Sequence, residues 1–431
     1  MQNFLFFLII IVLCQHLIAS ERRCRCLSSN SSCWPNASVW QTFNESINGQ
    51  LIFPKPSTAI CNSNSPNVNA CITAIENWSN PFWRSEQAGA MQRSVPMLAV
   101  NATLQLVNRY NLRLVIKTTG HDFLGRSTAN GALFLWLHHM KNLTFINNML
   151  SSQYNLIAIG GAASTVGASG GHGPLTRWKV LTADQVIEYD IIMADGSRQT
   201  VNSCQNVDLF WALRGGDAET FAVVLSITLR TYPSPCMISS NHFLNPPNNA
   251  SYASFVHHFV QLLPILADSD WAGYFYLTIK TFTLAFFPPN GDNDIANTTI
   301  YQLLNNFTQP AYYSFPKFID FFVTVMESSS PTVADTFLQF KDQNGSLLIG
   351  HLVVGGKVSD TTQNNSINPA WGTALLHMIY ARSWNDGTSI EDQEKLAKLV
   401  TEKLEILQTI AGGSLSGSYM NEADPNEKDW Q

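Results

Sequence analysis

The sequence predicts an α+β protein of two domains behind a leader and a cysteine-rich lead-in. Three observations carry this. At 431 residues the chain exceeds what one ordinary domain holds. Apolar residues make up 45 % of it and aromatic residues 11 %, enough for two sizeable cores. Short apolar runs and helical periodicities interleave up to about residue 233, and from 234 to 410 aromatic-rich strands accompany two long helical stretches.

The leader is residues 1–20. "FLFFLIIIVL" (Phe4 to Leu13) has the length of a signal-peptide core and is too short to span a bilayer, and small Ala19 and Ser20 follow it. Eleven Asn-x-Ser/Thr sequons fit a secreted glycoprotein: Asn30, Asn36, Asn44, Asn77, Asn101, Asn142, Asn249, Asn297, Asn306, Asn344 and Asn364. Residues 21–90 form the lead-in, rich in Asn, Ser, Pro and Trp. Five of the seven cysteines beyond the leader crowd into it (Cys24, Cys26, Cys33, Cys61 and Cys71), which reads as a disulfide-stapled segment. The odd count leaves a thiol over, at Cys204 or Cys236. No Cys/His group stands at zinc spacing, so no metal is expected.

The first domain covers 91–233. "LAVNATLQLVNRYN" carries apolar residues at helical spacing, "LRLVIK" (112–117) reads as a buried strand, and "GALFLWL" (131–137) and "NLIAIGG" (155–161) as two more. Asp195-Gly196 sits between alternating apolar runs, a hairpin signal. "VDLFWALRGG" (207–216) reads as a short helix with Asp208 in its first turn, and "FAVVLSITLRTYP" (221–233) as one strand closed by proline. The second domain (234–410) has "WAGYFYLTI" and "SLLIGHLVVGG" as strands. "YASFVHHFVQLLPIL" and "SIEDQEKLAKLVTEKLEILQTI" are its helices.

Charge excludes one class of partner. Net charge is −6 with no basic block, so nothing marks a nucleic-acid surface. The chemistry points to glycine. Three glycine-rich stretches, 118–127, 160–173 and 213–224, offer backbone N–H groups that can cradle a diphosphate, though glycines also simply mark turns. None matches the nicotinamide or P-loop patterns. In "TTGHDFLGRS" one imidazole, His121, stands between Gly120 and Gly125, just after the buried strand.

"KTTGHDFLGRS" followed by "GALFLWLHHMKNLTF" resembles the flavin-attachment segment of the FAD-linked oxidases of the vanillyl-alcohol oxidase type, in the berberine-bridge-enzyme branch. "TVGASGGHGPL", "LTADQVIEYDIIMADGS" and "NVDLFWALRGG…TFAVVLSITLR" follow in the family's order, and "SYMNEADPNEKDWQ" (418–431) resembles its C-terminal signature. "CRC…CWP" is similar to secreted fungal members, isoamyl alcohol oxidase among them. The resemblance spans the mature chain. It implies a PCMH-type FAD-binding domain and an α+β substrate domain built on an antiparallel sheet, with 411–431 a truncated segment returning to the FAD domain.

The resemblance further implies a covalent bond from His121 to the flavin 8α-methyl. Thr118, Thr119, Gly120, Asp122, Gly125, Arg126 and Ser127 would wrap the pyrophosphate, joined by Gly161, Thr165, Val166, Gly167, Gly170 and Gly171. Relatives with a second link carry a cysteine where this chain has Ala163, so one link at most is expected. Tyr419 is the expected catalytic base, equally accounted for as a packed ring, and Asn421 a flavin or substrate partner. His172, between glycines, reads as structural. The implied function is a secreted, monomeric FAD-dependent oxidase acting on a small alcohol or natural-product intermediate of secondary metabolism, with O2 as acceptor and no membrane association. A carbohydrate oxidase and a non-catalytic glycoprotein of the same fold are the alternatives.

Overall fold

The computed structural model describes residues 26, 31–52, 59–61, 67–77, 80, 83, 85–87, 97–118, 120–121, 124–127, 129, 131–140, 155–161, 171–216, 218–288, 294, 300, 311–315, 345–360, 364–385, 387–412 and 416–427. The chain divides into two compact units. One comprises 1–120, 125–141 and 192–198, the other 121–124, 142–191 and 199–431. Thirteen strands are described: β1 Arg113–Lys117, β2 Ala132–Trp136, β3 Leu156–Ala158, β4 Val186–Ile192, β5 Arg198–Asn202, β6 Val223–Leu229, β7 Thr231–Pro233, β8 Met237–Leu244, β9 Ala272–Leu277, β10 Phe282–Phe287, β11 Ala311–Phe315, β12 Ser346–Leu352 and β13 His377–Arg382.

In the first unit β1 and β2 pair in parallel, Arg113 opposite Ala132 and Lys117 opposite Trp136. The helix Met97–Tyr110 precedes them, and its Leu106 and Val107 join Phe43, Ile47 and Leu112 in a small core. The lead-in holds more regular structure than its composition suggests. Helices form at Ala37–Ser46 and Val68–Glu76, each started by an asparagine, Asn36 or Asn67, whose side chain accepts the N–H of the residue three further on. Disulfides Cys26–Cys33 and Cys61–Cys71 staple it as expected, and Cys204 and Cys236, both in the other unit, are free thiols. Cys24 lies outside the described residues.

In the second unit β5 and β6 flank β4 in one sheet; the Asp195-Gly196 turn, which falls in the 192–198 stretch of the first unit, closes with a Met193 N–H to Ser197 carbonyl bond of 2.8 Å. The expected single strand 221–233 is two. Arg230 interrupts it, donating its N–H to the carbonyl of Gln185 just before β4 (2.9 Å), and β7 then pairs with β3. The main sheet has six antiparallel strands in the order β11-β8-β10-β9-β12-β13. Its pleat sorts the side chains by period two. Phe275, Phe282, Phe286, Leu348 and Tyr380 pack with Phe255, Phe259 and Leu263 of the helix Asn249–Asp268 and with Leu407 of the helix Ile390–Ile410. Phe259 meets Phe275 and Phe282 edge-on at 4.9 and 4.7 Å. The alternate residues point to the opposite face, and the site lies there. No described helix is long and apolar enough to cross a membrane.

Candidate functional site

Strand register builds the site. Tyr274 on β9 lies directly opposite His351 on β12, which lies directly opposite His377 on β13. Residues so paired share a face of the sheet, and these three form a row across it. Ring centres are 4.6 Å apart for Tyr274 and His351, and 4.9 Å for His351 and His377. The two histidines also bring their Nδ1 atoms to 3.0 Å.

His172 completes a triangle, 4.9 Å from His351 and 5.0 Å from His377 between ring centres. Its segment is pinned from below. Thr176 donates its hydroxyl to the Val353 carbonyl, and Arg177 donates to the carbonyls of Val354 (2.7 Å) and Ala267 (3.0 Å). Glycine permits the approach from above: a Cβ at Gly173 would stand 2.1 Å from the Gly160 carbonyl oxygen.

Glu422 comes from the C-terminal segment. A turn closes there with its N–H on the Tyr419 carbonyl at 2.8 Å. The segment is held against the Ile390–Ile410 helix, where Thr401 donates its hydroxyl to Asp424 and Gln408 donates its amide to Glu427 at 2.6 Å. The Glu422 carboxylate then lies 3.6 Å from His377 Nε2 and 4.0 Å from the Nε2 atoms of both His172 and His121. Trp371 lies over His172 and His377 at 5.5 and 5.6 Å, and Tyr419 meets Trp371 edge-on at 5.8 Å. Asn421 donates its amide to the Tyr419 hydroxyl at 3.0 Å.

Burial and charge set the protonation states. Burial alone would push the Glu422 carboxyl up, but polar contact with His121 and His172 and the nearby imidazoles outweigh it and hold it well below the carboxylate range. Burial, followed by the proximity of His172, lowers His377 to about 3. His351 is lowered well below the ordinary value, by burial first and then by His377 and His172. Burial raises the Tyr274 phenol, with Tyr276 and Glu422 adding to it. At neutral pH the site thus holds a carboxylate, two neutral imidazoles on the sheet and a neutral phenol. Its buried atoms Glu422 Oε2, His172 Nδ1 and Tyr274 Oη have no hydrogen-bond partner.

Of the residues expected at the site, His121, Tyr419 and Asn421 come together around Glu422. Gly161 and Gly171 flank 162–170, where the chain leaves and returns through the contact of Gly160 with Gly173. Thr118, Gly120, Gly125, Arg126 and Ser127 belong to the first unit; Gly120 and Gly125 take φ of +80° and +71°, and the Cβ of Ser127 lies 3.8 Å from where a Cβ on Gly120 would stand. Thr119, Asp122, Ala163, Thr165, Val166, Gly167 and Gly170 lie outside the described residues. The sequence reading did not single out Glu422, His351 or His377, and gave His172 as structural. Only the neighbourhood of Tyr419 and Asn421 could have pointed to Glu422.

No family model matches the chain. An uncharacterised FAD-linked oxidoreductase of Arthroderma benhamiae is 31 % identical over 536 aligned positions, covering 96 % of this chain and 90 % of that protein. Those positions outnumber the 431 residues here, so the relative carries internal insertions that this chain lacks. The VAO-type flavoprotein oxidase VAO615 of Thermothelomyces thermophilus is 27 % identical over 95 % of this chain and 87 % of that one. The fold matches the crystal structure of the VAO-type flavoprotein MtVAO713 from Myceliophthora thermophila C1 with a TM-score of 0.82 at 22 % identity, over 95 % and 91 % of the two chains. A PCMH-type α+β flavoprotein fold and a buried histidine–carboxylate site are thus what this sequence builds. The chain belongs to the FAD-linked oxidoreductases, and its fold is that of the VAO-type flavoproteins. It is an FAD-dependent oxidoreductase, with FAD as its cofactor. The residues present fit that cofactor: the imidazole of His121 follows Gly120, which takes φ of +80°, and stands 4.0 Å from the Glu422 carboxylate.

Proposed function

We propose that the protein is a secreted oxidase of a small alcohol or natural-product intermediate, with its flavin carried covalently on His121 and O2 as the final acceptor. Bound FAD supplies the two-electron acceptor that no side chain offers. His121 would hold it by a single link, since Ala163 stands where a second anchor would be. Secretion is favoured by the leader and by the disulfides of the lead-in, which persist in oxidising compartments.

Glu422 takes the substrate proton. A general base must be in its proton-accepting form at working pH and within reach of the reacting group. Glu422 is ionised because polar contact with His121 and His172 overcomes its burial, and it stands 4.0 Å from the His121 side chain. Tyr419, the base expected from sequence, is less suited. Its hydroxyl already accepts from Asn421. Tyr419 and Trp371 pack on His172 and His377, and Tyr274 on His351, beside the carboxylate.

The observation that carries this reading is the proximity of His121 and Glu422 in a chain of this family. The test is the visible spectrum of the purified protein. A flavin spectrum bleached anaerobically by a cognate alcohol, and restored by air, is expected. A folded protein without flavin absorbance would contradict the reading.

A further inference from the structure

We propose that His172, His351, His377 and Glu422 form a binding site for a divalent transition-metal ion of the zinc type. Each offers one ligand atom, and the four lie within 4.8 Å of one another. The ring geometry is the stronger argument. With metal–nitrogen bonds of about 2.0–2.1 Å, three imidazoles on one tetrahedral ion set their ring centres about 5 Å apart. The three observed separations are 4.9, 5.0 and 4.9 Å, with ring planes inclined by 52°, 59° and 66°.

The fourth ligand approaches from another element. Glu422 Oε2 lies 3.6 Å from His377 Nε2 and 4.0 Å from His172 Nε2. The two nitrogens of His377 face different members of the group: Nε2 faces Glu422, and Nδ1 lies 3.0 Å from His351 Nδ1. Two donors are already stripped of partners. His172 is 4 % exposed and its Nδ1 makes no hydrogen bond; Glu422 Oε2 makes none either, its nearest nitrogens being His377 Nε2 at 3.6 Å and His172 Nε2 at 4.0 Å. Buried polar atoms seldom stay unpaired, so an unpaired nitrogen and oxygen in one pocket call for a ligand. A set of three imidazoles and one carboxylate favours zinc, cobalt, nickel or copper over magnesium or calcium, which prefer oxygen donors.

The consequence rests on the reading of Glu422 as the proton acceptor. An ion bound through Oε2 draws charge from the carboxylate whose Oε1 faces His121, and so weakens it as an acceptor of the substrate proton. It also closes a four-ligand shell, leaving no position for substrate. Metal and turnover therefore exclude each other, and zinc inhibits the oxidase.

The test uses purified, flavin-loaded protein, stripped with a chelator and titrated with Co2+, then Zn2+, with Mg2+ as control. One Co2+ per chain with the visible bands of a tetrahedral site, displaced by Zn2+ and not by Mg2+, is expected. His351→Gln and His377→Gln, checked for folding by circular dichroism, should weaken Co2+ binding by more than the roughly 10–100-fold that loss of an outer-shell partner costs. Flavin absorbance is read in the same cuvette, so a missing flavin and a missing metal are told apart. Folded wild-type protein that gives no Co2+ bands, or folded variants of both histidines that keep them, would overturn the site. Co2+ and Zn2+ binding without inhibition of substrate turnover would overturn the regulatory consequence.

Discussion

His351 and His377 face each other across neighbouring antiparallel strands with their Nδ1 atoms 3.0 Å apart, and the carboxylate of Glu422 stands 3.6 Å from the far nitrogen of His377. Imidazoles and carboxylate come from sheet and tail respectively. The tail is held by Asp424 on Thr401, and its position sets where the negative charge sits.

Glu422→Gln removes the base and keeps the shape. Turnover should fall by about 10²–10⁴-fold, the contribution of a positioned general base. The bound flavin should remain. The rate of flavin reduction by substrate, measured anaerobically in a stopped-flow instrument, checks this; a rate within a few-fold of wild type would remove Glu422 from the chemistry.

Tyr419→Phe should behave differently. The phenyl ring keeps its edge contacts with Trp371 and His377, and only the hydroxyl that Asn421 contacts is lost. A neutral buried hydrogen bond is worth about 0.5–1.5 kcal/mol, so turnover should change by roughly tenfold or less. A loss approaching that of Glu422→Gln in the same assay would return the base role to Tyr419.

His121 stands out in the sequence because it lies in a glycine-flanked loop after a strand. The cluster it joins does not. His172, His351, His377 and Glu422 are scattered over 250 residues of chain, and strand register unites two of them. Nothing in "LLIGHLVV" or "LLHMIY" reveals that the two histidines are directly opposed, because a pairing shifted by one residue would send one of them to the other face. Strand and helix positions fared better. The period of apolar residues placed the Met97–Tyr110 and Ile390–Ile410 helices and β1, β9 and β12 closely. The break between β6 and β7 escaped, since the partner of the Arg230 N–H, the Gln185 carbonyl, is remote in sequence.

His242 on β8 predicts a pH dependence of stability. Burial lowers its pKa from 6.5 to about 4 in the folded protein, where its Nε2 lies 2.8 Å from the Ser240 hydroxyl. Between those values the unfolded chain binds the proton more readily, so stability falls as pH falls from 6.5 towards 4. At about 1.4 kcal/mol per unit, the contribution is roughly 3 kcal/mol. Denaturant unfolding at several pH values should give a shallower acid slope for His242→Gln than for wild type. Equal slopes would show that His242 is protonated without cost.

The central claim is that His121 carries the flavin beside Glu422. Its most direct test is in-gel flavin fluorescence of denatured protein, wild type against His121→Ala. The wild-type band should fluoresce after acid treatment, and the variant band should be dark at equal protein load. A fluorescent His121→Ala band, or a dark wild-type band from protein that was yellow before denaturation, would contradict the claim.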